Sequence, residues 1–190
     1  MHFATLDFAL LYWLNHNFIP HSVPVLQLVS YTTTFISIAM VLIVLIISIV
    51  KRSKSIRKQF YILALVLILV ALVSQGLKQI IFRERPFSAH PSIEKLSQGG
   101  GSSFPSGHSL EAFAIATSLS LLFKKKKIVI PLFIWAMLVA YSRMALGVHY
   151  PSDVVGGIII GILIGWSVQW AFNRFNSKGA NRCPTSTCNP

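Results

Sequence analysis

Three short segments of this 190-residue chain carry the side chains from which an anion-handling site could be assembled. They are Lys78-x6-Arg85-Pro86, Pro105-Ser106-Gly107-His108 and Ser142-Arg143-x5-His149-x3-Asp153. Together they supply three fixed cations, two histidines and a carboxylate, and each lies at the end of a long apolar run. Cations can hold the oxygens of a phosphoryl group, while paired histidines can supply a nucleophile and a proton donor. The chemistry open to such a set is attack on a phosphate ester by a side chain, at the surface of a membrane.

The spacing within each segment suggests a role for its residues. Asp153, four residues past His149, can accept the Nδ1–H of that ring and leave Nε2 free as the nucleophile. Ser106 suits the N-cap of a helix whose first-turn N–H groups are free to bind an anion, and Gly107 lets backbone approach a ligand. Ser109 adds a hydroxyl to that turn, and Glu111 is an intramembrane carboxylate expected to support the site rather than to act in it. Lys78 and Arg85, seven residues apart, would share a helix face, with Pro86 ending the helix at or before Arg85. Ser142 and Arg143 close the fourth apolar run, Gly147 is a plausible helix stop, and Pro151 suits the first turn of the next helix.

Composition fixes the solvent around these segments. Hydrophobic residues make up 54% of the chain and charged ones 12%, against about 25% charged in a soluble domain. Val25 to Val50, Phe60 to Leu77, Ile128 to Ser142 and Val154 to Asn173 are free of charge, and Phe104 to Phe123 carries only His108 and Glu111. A span takes roughly 20 apolar residues, so the Ile128 run must continue through Arg143 to about Leu146. The expected fold is all-α: a polytopic membrane bundle of five transmembrane helices preceded by an N-terminal interfacial helix. Residues 1–24 form that amphipathic helix, with a sixth short span as the alternative. Residues 25–175 form the membrane-embedded domain and residues 176–190 a disordered cytoplasmic tail. Cys183 and Cys188 in the tail receive no function.

The net charge of +12 does not imply a nucleic-acid partner, because of where it falls. Of 17 basic residues, 12 lie in Lys51 to Lys58, Lys124 to Lys127 and the tail, at alternate helix ends. That is the pattern of cytoplasmic loops. The three motifs then share the extracytoplasmic face, beside the one long outer loop, Arg83 to Ser103. Its flexible run, Gly99 to Ser103, reads equally as a lid or surface for a lipid headgroup and as a plain connector. Five acidic residues are too few for a two-metal centre, so no metal and no other cofactor is expected.

The tripartite pattern resembles that of the type-2 phosphatidic acid phosphatase superfamily of membrane lipid phosphatases, complete at each signature position from Lys78 to Asp153. The resemblance implies a phosphohistidine route, with His149 as nucleophile, Asp153 orienting it and His108 protonating the leaving oxygen. Lys78, Arg85, Ser106, Gly107 and Arg143 would hold the phosphoryl oxygens. The substrate implied is a lipid phosphate or pyrophosphate, with undecaprenyl pyrophosphate first. Phosphatidylglycerophosphate, phosphatidate and the 1-phosphate of lipid A are the alternatives, and Arg83 or Lys95 could meet a second phosphate. A non-catalytic anion-binding protein or transporter would need the cations but not both histidines with Asp153, and five spans argue against a soluble haloperoxidase. The oligomeric state is not legible in the sequence.

Overall fold

A computed structural model describes residues 2–17 and 22–180; residues 181–190, with Cys183 and Cys188, lie outside the described residues, and the last helix continues to Ala180, five residues into the expected disordered tail. The described secondary structure is entirely helical. Its elements are α1 (His2–His16), α2 (Val23–Tyr31), α3 (Thr33–Val50), α4 (Lys54–Ile80), α5 (Pro86–Ala89), α6 (Gly107–Phe123), α7 (Lys126–Ala145) and α8 (Pro151–Ala180). Helices α3, α4, α7 and α8 are long and apolar enough to cross a membrane, and α6 is a shorter apolar helix of the same kind. Four of the five expected spans thus have helices of membrane-crossing length, and the fifth corresponds to the shorter α6.

The shortest of the five is the central one. Helix α6 packs against α3, α4, α7 and α8, and Ser109, Leu110 and every residue from Ala112 to Leu119 are buried. A helix this deeply buried, with hydroxyls and a carboxylate among its apolar residues, is covered by protein neighbours rather than by lipid. The outer helices present the opposite character to their surroundings. Phe35 and Ile46 on α3, Leu72 on α4, Ile134 on α7 and Ile159 on α8 are more than half exposed. Such an apolar exterior belongs in lipid, where helix association depends on close packing rather than on the hydrophobic effect.

Close packing is most pronounced between α6 and α8. Gly157, Gly161 and Gly165 recur every fourth residue along one face of α8. A Cβ at these positions would lie 2.6 Å from the Ser106 carbonyl oxygen, 2.4 Å from that of Leu110 and 2.7 Å from that of Ala114. The two backbones therefore touch at three points over just more than two turns, through a small-residue seam suited to membranes.

The first expected span is interrupted. Thr32 separates α2 from α3, and its hydroxyl donates to the Leu28 carbonyl at 2.7 Å, as Thr33 does to Val29 at 2.9 Å. Hydroxyls that bond back by one turn compete with the backbone ladder and bend helices. After the bend α3 packs on α4, while α2 leans on α7. Helix α1 also departs from a helix merely resting at an interface. Its buried face is Asp7, Leu11 and Asn15, and Leu6, Leu10 and Trp13 are exposed. Asn15 Nδ2 donates to the Ala145 carbonyl at 3.0 Å, and Asn15 Oδ1 accepts from the Glu94 N–H at 3.0 Å. This helix is docked to the bundle through polar groups.

Tight turns at Lys51 to Ser53 and at Lys124 to Lys125 join α3 to α4 and α6 to α7. The C-terminus of α4, the N-terminus of α6, the C-terminus of α7 and the N-terminus of α8 consequently gather at the other end, under the long loop. Gly161→Leu should force α6 and α8 apart at a carbonyl contact, costing about 1–3 kcal/mol as overpacking does. A lowered unfolding temperature in detergent, larger than that of Gly76→Leu, is the expected result, since nothing lies within 4 Å of a Cβ at Gly76.

Candidate active site

The four helix ends enclose a cavity of about 520 Å³ lined by Lys78, Arg85, Lys95, Gln98, Gly99, Gly100, Gly107, His108, Arg143 and His149. Six residues of the three motifs meet here, with Lys95 and the glycine stretch of the outer loop beside them. Lys78 comes from the last turn of α4, Gly107 and His108 from the first turn of α6, and Arg143 from the last turn of α7. His149 lies in the α7–α8 connection. Arg85 does not share a helix with Lys78: α4 ends at Ile80, and Arg85 is the N-cap of the short helix α5, with Pro86 at its first position. The chain turns back over the bundle between them, so the two cations approach from different directions.

The manner in which the cations are held defines the cavity. Arg85 is only 5% exposed. Its Nε donates to the Gly101 carbonyl at 3.2 Å, Nη1 to Val148 at 3.0 Å, and Nη2 to Gly100 at 2.9 Å and Ser102 at 3.4 Å. Arg143 is 2% exposed and donates to the Ser30 hydroxyl, to Ser97 Oγ at 3.5 Å and to the Gln98 carbonyl at 3.4 Å, with its Nε unpartnered. Neither guanidinium makes a salt bridge among the described residues. Neutral dipoles fix these cations without cancelling their charge, so the cavity presents two buried positive charges that no carboxylate among the described residues pairs.

The loop from Arg83 to Ser103 is thus the roof of the cavity and the source of most of these acceptors. It is tied down by the Leu96 N–H to the Leu146 carbonyl at 3.1 Å, by Gln27 Nε2 to the Leu96 carbonyl at 2.7 Å, and by Ser102 Oγ to Ile81 at 2.7 Å. Gly99 is needed for close approach, since a Cβ there would lie 2.7 Å from Arg85 Nη1. Gly147, at φ 72°, lets the chain leave α7 in the left-handed conformation, and a Cβ on it would meet the Glu94 carbonyl at 2.2 Å.

His149 is 2% exposed. Its Nε2 lies 3.4 Å from Arg85 Nη1, and its Nδ1 lies 3.8 Å from Asp153 Oδ2. A donor faces Nε2 and a carboxylate faces Nδ1, which together select the tautomer with the proton on Nδ1 and the lone pair toward the cavity. At 3.8 Å the carboxylate stands behind the ring without bonding it, and Nδ1 has no hydrogen-bond partner. Desolvation, reinforced by Arg143 and Arg85 and opposed by Asp153, lowers the imidazole pKa to about 4. The ring is therefore neutral at physiological pH.

Asp153, fully buried, is the third residue of α8, and its Oδ2 accepts the Tyr150 N–H at 2.9 Å and the Ser103 hydroxyl at 2.5 Å. A carboxylate reaching back from the third position to the capping N–H is one half of a capping box, favoured also by the helix dipole. Oδ1 accepts from Arg83 Nη1 at 2.6 Å, and Arg83 Nη2 bonds Asp7 at 2.7 Å. Arg83 is thus committed to two carboxylates and does not line the cavity, so of the two outer cations expected near a second phosphate only Lys95 is in place.

Several other residues fall elsewhere. Ser106 is the N-cap of α6, but its hydroxyl pairs with Ser109 Oγ at 2.9 Å rather than capping an N–H, and both serines are fully buried. The Ser142 hydroxyl donates to the Val139 carbonyl at 2.7 Å. Glu111 accepts from Thr34 Oγ1 at 3.0 Å and lines a second cavity, of about 360 Å³, with Thr34, Ser74, Gln75, Lys78, Gly107 and His108. Lys78, Gly107 and His108 belong to both cavities and form the wall between them. Among the described residues, no three His, Cys, Asp or Glu side chains converge as they would around a metal ion.

A membrane helix bundle with uncompensated arginines and a buried neutral histidine around one cavity defines a class: membrane proteins that handle phosphate groups. Residues 59–177 match the PAP2 superfamily. The chain is 31% identical to undecaprenyl-diphosphatase BcrC of Bacillus subtilis (strain 168) over 151 residues, which cover 80% of this chain and 77% of that protein. It is 35% identical over 108 residues to a lipid A 4'-phosphatase of Bacteroides thetaiotaomicron, covering 54% of this chain and 48% of the relative. The crystal structure of Aquifex aeolicus LpxE superposes with a TM-score of 0.77 at 27% identity, covering 87% of this chain and 95% of the other. The chain belongs to the PAP2 superfamily, and hydrolase activity follows from that membership.

Gly99→Val should push the Arg85 guanidinium from its seat. The expected outcome is weaker inhibition by inorganic phosphate, by about tenfold or more in Ki as for loss of one charged hydrogen bond, with the unfolding temperature in detergent little changed.

Proposed function

We propose that the chain is a metal-independent lipid phosphatase that works through a phosphohistidine at His149, at the extracytoplasmic face of a cytoplasmic membrane. The observation that carries this reading is the aim of His149 Nε2 into the cavity, 3.4 Å from Arg85, with Asp153 behind the ring. Phosphoryl oxygens held by Lys78, Arg85, Arg143 and the N–H groups opening α6 place phosphorus against that lone pair. The Nε2–P bond forms as the P–O bond to the leaving group breaks, and His108 gives that oxygen its proton. Asp153, drawing less than 1 Å nearer to Nδ1, stabilises the positive charge that develops on the ring. Water then attacks phosphorus, His108 takes its proton, and inorganic phosphate leaves with His149 restored. The placement of the basic turns opposite the cavity supports the assigned face.

The substrate we favour is a lipid diphosphate of the undecaprenyl type. Lys95 adds a cation to the cavity beyond the Lys78, Arg85 and Arg143 set, which suits a second phosphate, and the likeness to undecaprenyl-diphosphatase BcrC points the same way. A second reading has its own support. The adjoining cavity carries Thr34, Ser74, Gln75 and Glu111 beside Ile38, Leu67 and Val70, a lining suited to a headgroup with hydroxyls. Phosphatidylglycerophosphate or a lipid A phosphate would fit that description, and phosphatidate, without hydroxyls, would not.

Phosphate release in mixed micelles with excess chelator, across undecaprenyl pyrophosphate, phosphatidylglycerophosphate, phosphatidate and lipid A, separates these readings. The diphosphate should turn over fastest, and Lys95→Ala should raise its KM more than that of any monophosphate. His149→Ala should abolish turnover, and acid-quenched wild-type enzyme should carry phosphate on His149. Wild-type turnover by His149→Ala would overturn the mechanism. Removing Arg143 should cost on the order of 3 kcal/mol in kcat/KM, as for one preorganised donor. Because burial holds His149 neutral down to about pH 4, the acid limb of kcat/KM due to this group should lie near that value, below the ordinary histidine pKa of about 6.5. The sign follows from the neutral ring being the active form: activity is present above its pKa and is lost as pH falls through it.

A further inference from the structure

We propose that Asp7 on α1 is a positioning residue for the reaction, setting Asp153 against His149 by sharing Arg83 with it. The proposal rests on the reading of His149 as nucleophile. Asp7 lies 146 positions before Asp153 in the chain numbering, yet the two carboxylates take opposite nitrogens of one guanidinium. Arg83 Nη2 donates to Asp7 Oδ2 at 2.7 Å, and Nη1 donates to Asp153 Oδ1 at 2.6 Å and to Ser152 Oγ at 2.6 Å. Asp7 also accepts from the Ser152 N–H at 2.8 Å and from its hydroxyl at 2.5 Å. The guanidinium lies over the Tyr150 ring, 4.1 Å from its centroid. Tyr150 and Ser152 flank Pro151 at the start of α8, so each of these contacts acts on the connection that carries His149 and Asp153.

Anchoring α1 does not require this carboxylate. Asn15 already fastens the helix to Ala145 and Glu94, and Leu11 is fully buried. A carboxylate with a side-chain exposure of 4% costs desolvation energy, and among the described residues Asp7 has only Arg83 as a cationic partner. Its effect on Asp153 is mechanical and electrostatic. An arginine with one anionic partner would close on Asp153 in the bidentate geometry that guanidinium and carboxylate prefer. That would turn Oδ2 away from the ring. With Asp7 on its other side, Arg83 holds Oδ1 alone, and Oδ2 remains with Ser103, the Tyr150 N–H and His149.

The test is kinetic, on the full chain in detergent. Asp7→Asn should lower kcat by about tenfold or more, as loss of a partner behind a working side chain does. KM and the Ki of inorganic phosphate should stay within about twofold, since Asp7 is not among the residues lining the cavity. Arg83→Lys, a point charge unable to bridge two carboxylates, should show the same split and carries the test if Asp7→Asn does not fold. The double variant should lose no more than the worse single variant, because the two residues act as one unit. The proposal is overturned if Asp7→Asn and Arg83→Lys turn over as wild type, if Ki rises in step with the fall in kcat, or if the two losses multiply. His149→Ala is assayed alongside: retained turnover there defeats the nucleophile assignment itself, whatever Asp7→Asn does.

Discussion

Two arginines carry full positive charge out of water, and no anion on the described chain answers them. An unpaired buried charge is among the least favourable things a fold can contain, so the surrounding structure is organised to make it bearable. Arg85 is met by four peptide carbonyls, and Arg143 by two hydroxyls and a carbonyl. Those groups come from the roof loop, from the α7–α8 connection and from α2. The loop must therefore be ordered, the connection must be kinked at Gly147, and α2 must lean on α7. Much of what is irregular in this bundle follows from having to solvate cations with dipoles alone.

The regular part supplies the stiffness that this arrangement requires. Helix α6 is enclosed by four others, and its backbone lies against α8 along the seam of Gly157, Gly161 and Gly165. That contact fixes the start of α6, with Gly107 and His108, relative to the start of α8, with Asp153. The Ser106 N–H donates to the Asp153 carbonyl at 3.1 Å, joining the two starts directly. Positions that must agree within fractions of an ångström are thus set by backbone rather than by long side chains.

How much of this was legible in the sequence depended on whether the signal was local. The five apolar runs were, because lipid demands an uninterrupted stretch of defined length. So were Pro151 and Gly147 as helix punctuation, since each acts on its own backbone. The break at Thr32 was missed because the run stays apolar through it, and only the hydroxyls of Thr32 and Thr33 mark the bend. Lys78 and Arg85 were placed on one helix by their spacing, but spacing says nothing of a chain that reverses at Ile81. Ser106 has the right type and position for a cap, yet its hydroxyl is taken by Ser109. Arg83 looked like a spare cation because its partners, Asp7 and Asp153, are distant in sequence and belong to helices whose packing has no local code. The glycine seam of α8 was not read, although its spacing of four residues is local, because which helix it meets has no local code; the roof was not legible either, since its contribution is made by peptide groups that every residue possesses.

That last property bears on how freely such a protein can change. An acceptor drawn from the main chain survives almost any replacement of the side chain above it, so the roof constrains the path of the chain far more than its spelling. Gly99 is a fixed letter, because a Cβ there collides with Arg85, whereas Gly100 and Gly101 have open space around an added Cβ. Gly100 gives its carbonyl to Arg85 whatever stands there, and Gly101, at φ 64°, asks only for a residue content in the left-handed region. A segment built this way can accumulate substitutions, and with them new surfaces toward arriving molecules, while the charge beneath it stays where it is. Variation is cheap at the rim and costly one layer below.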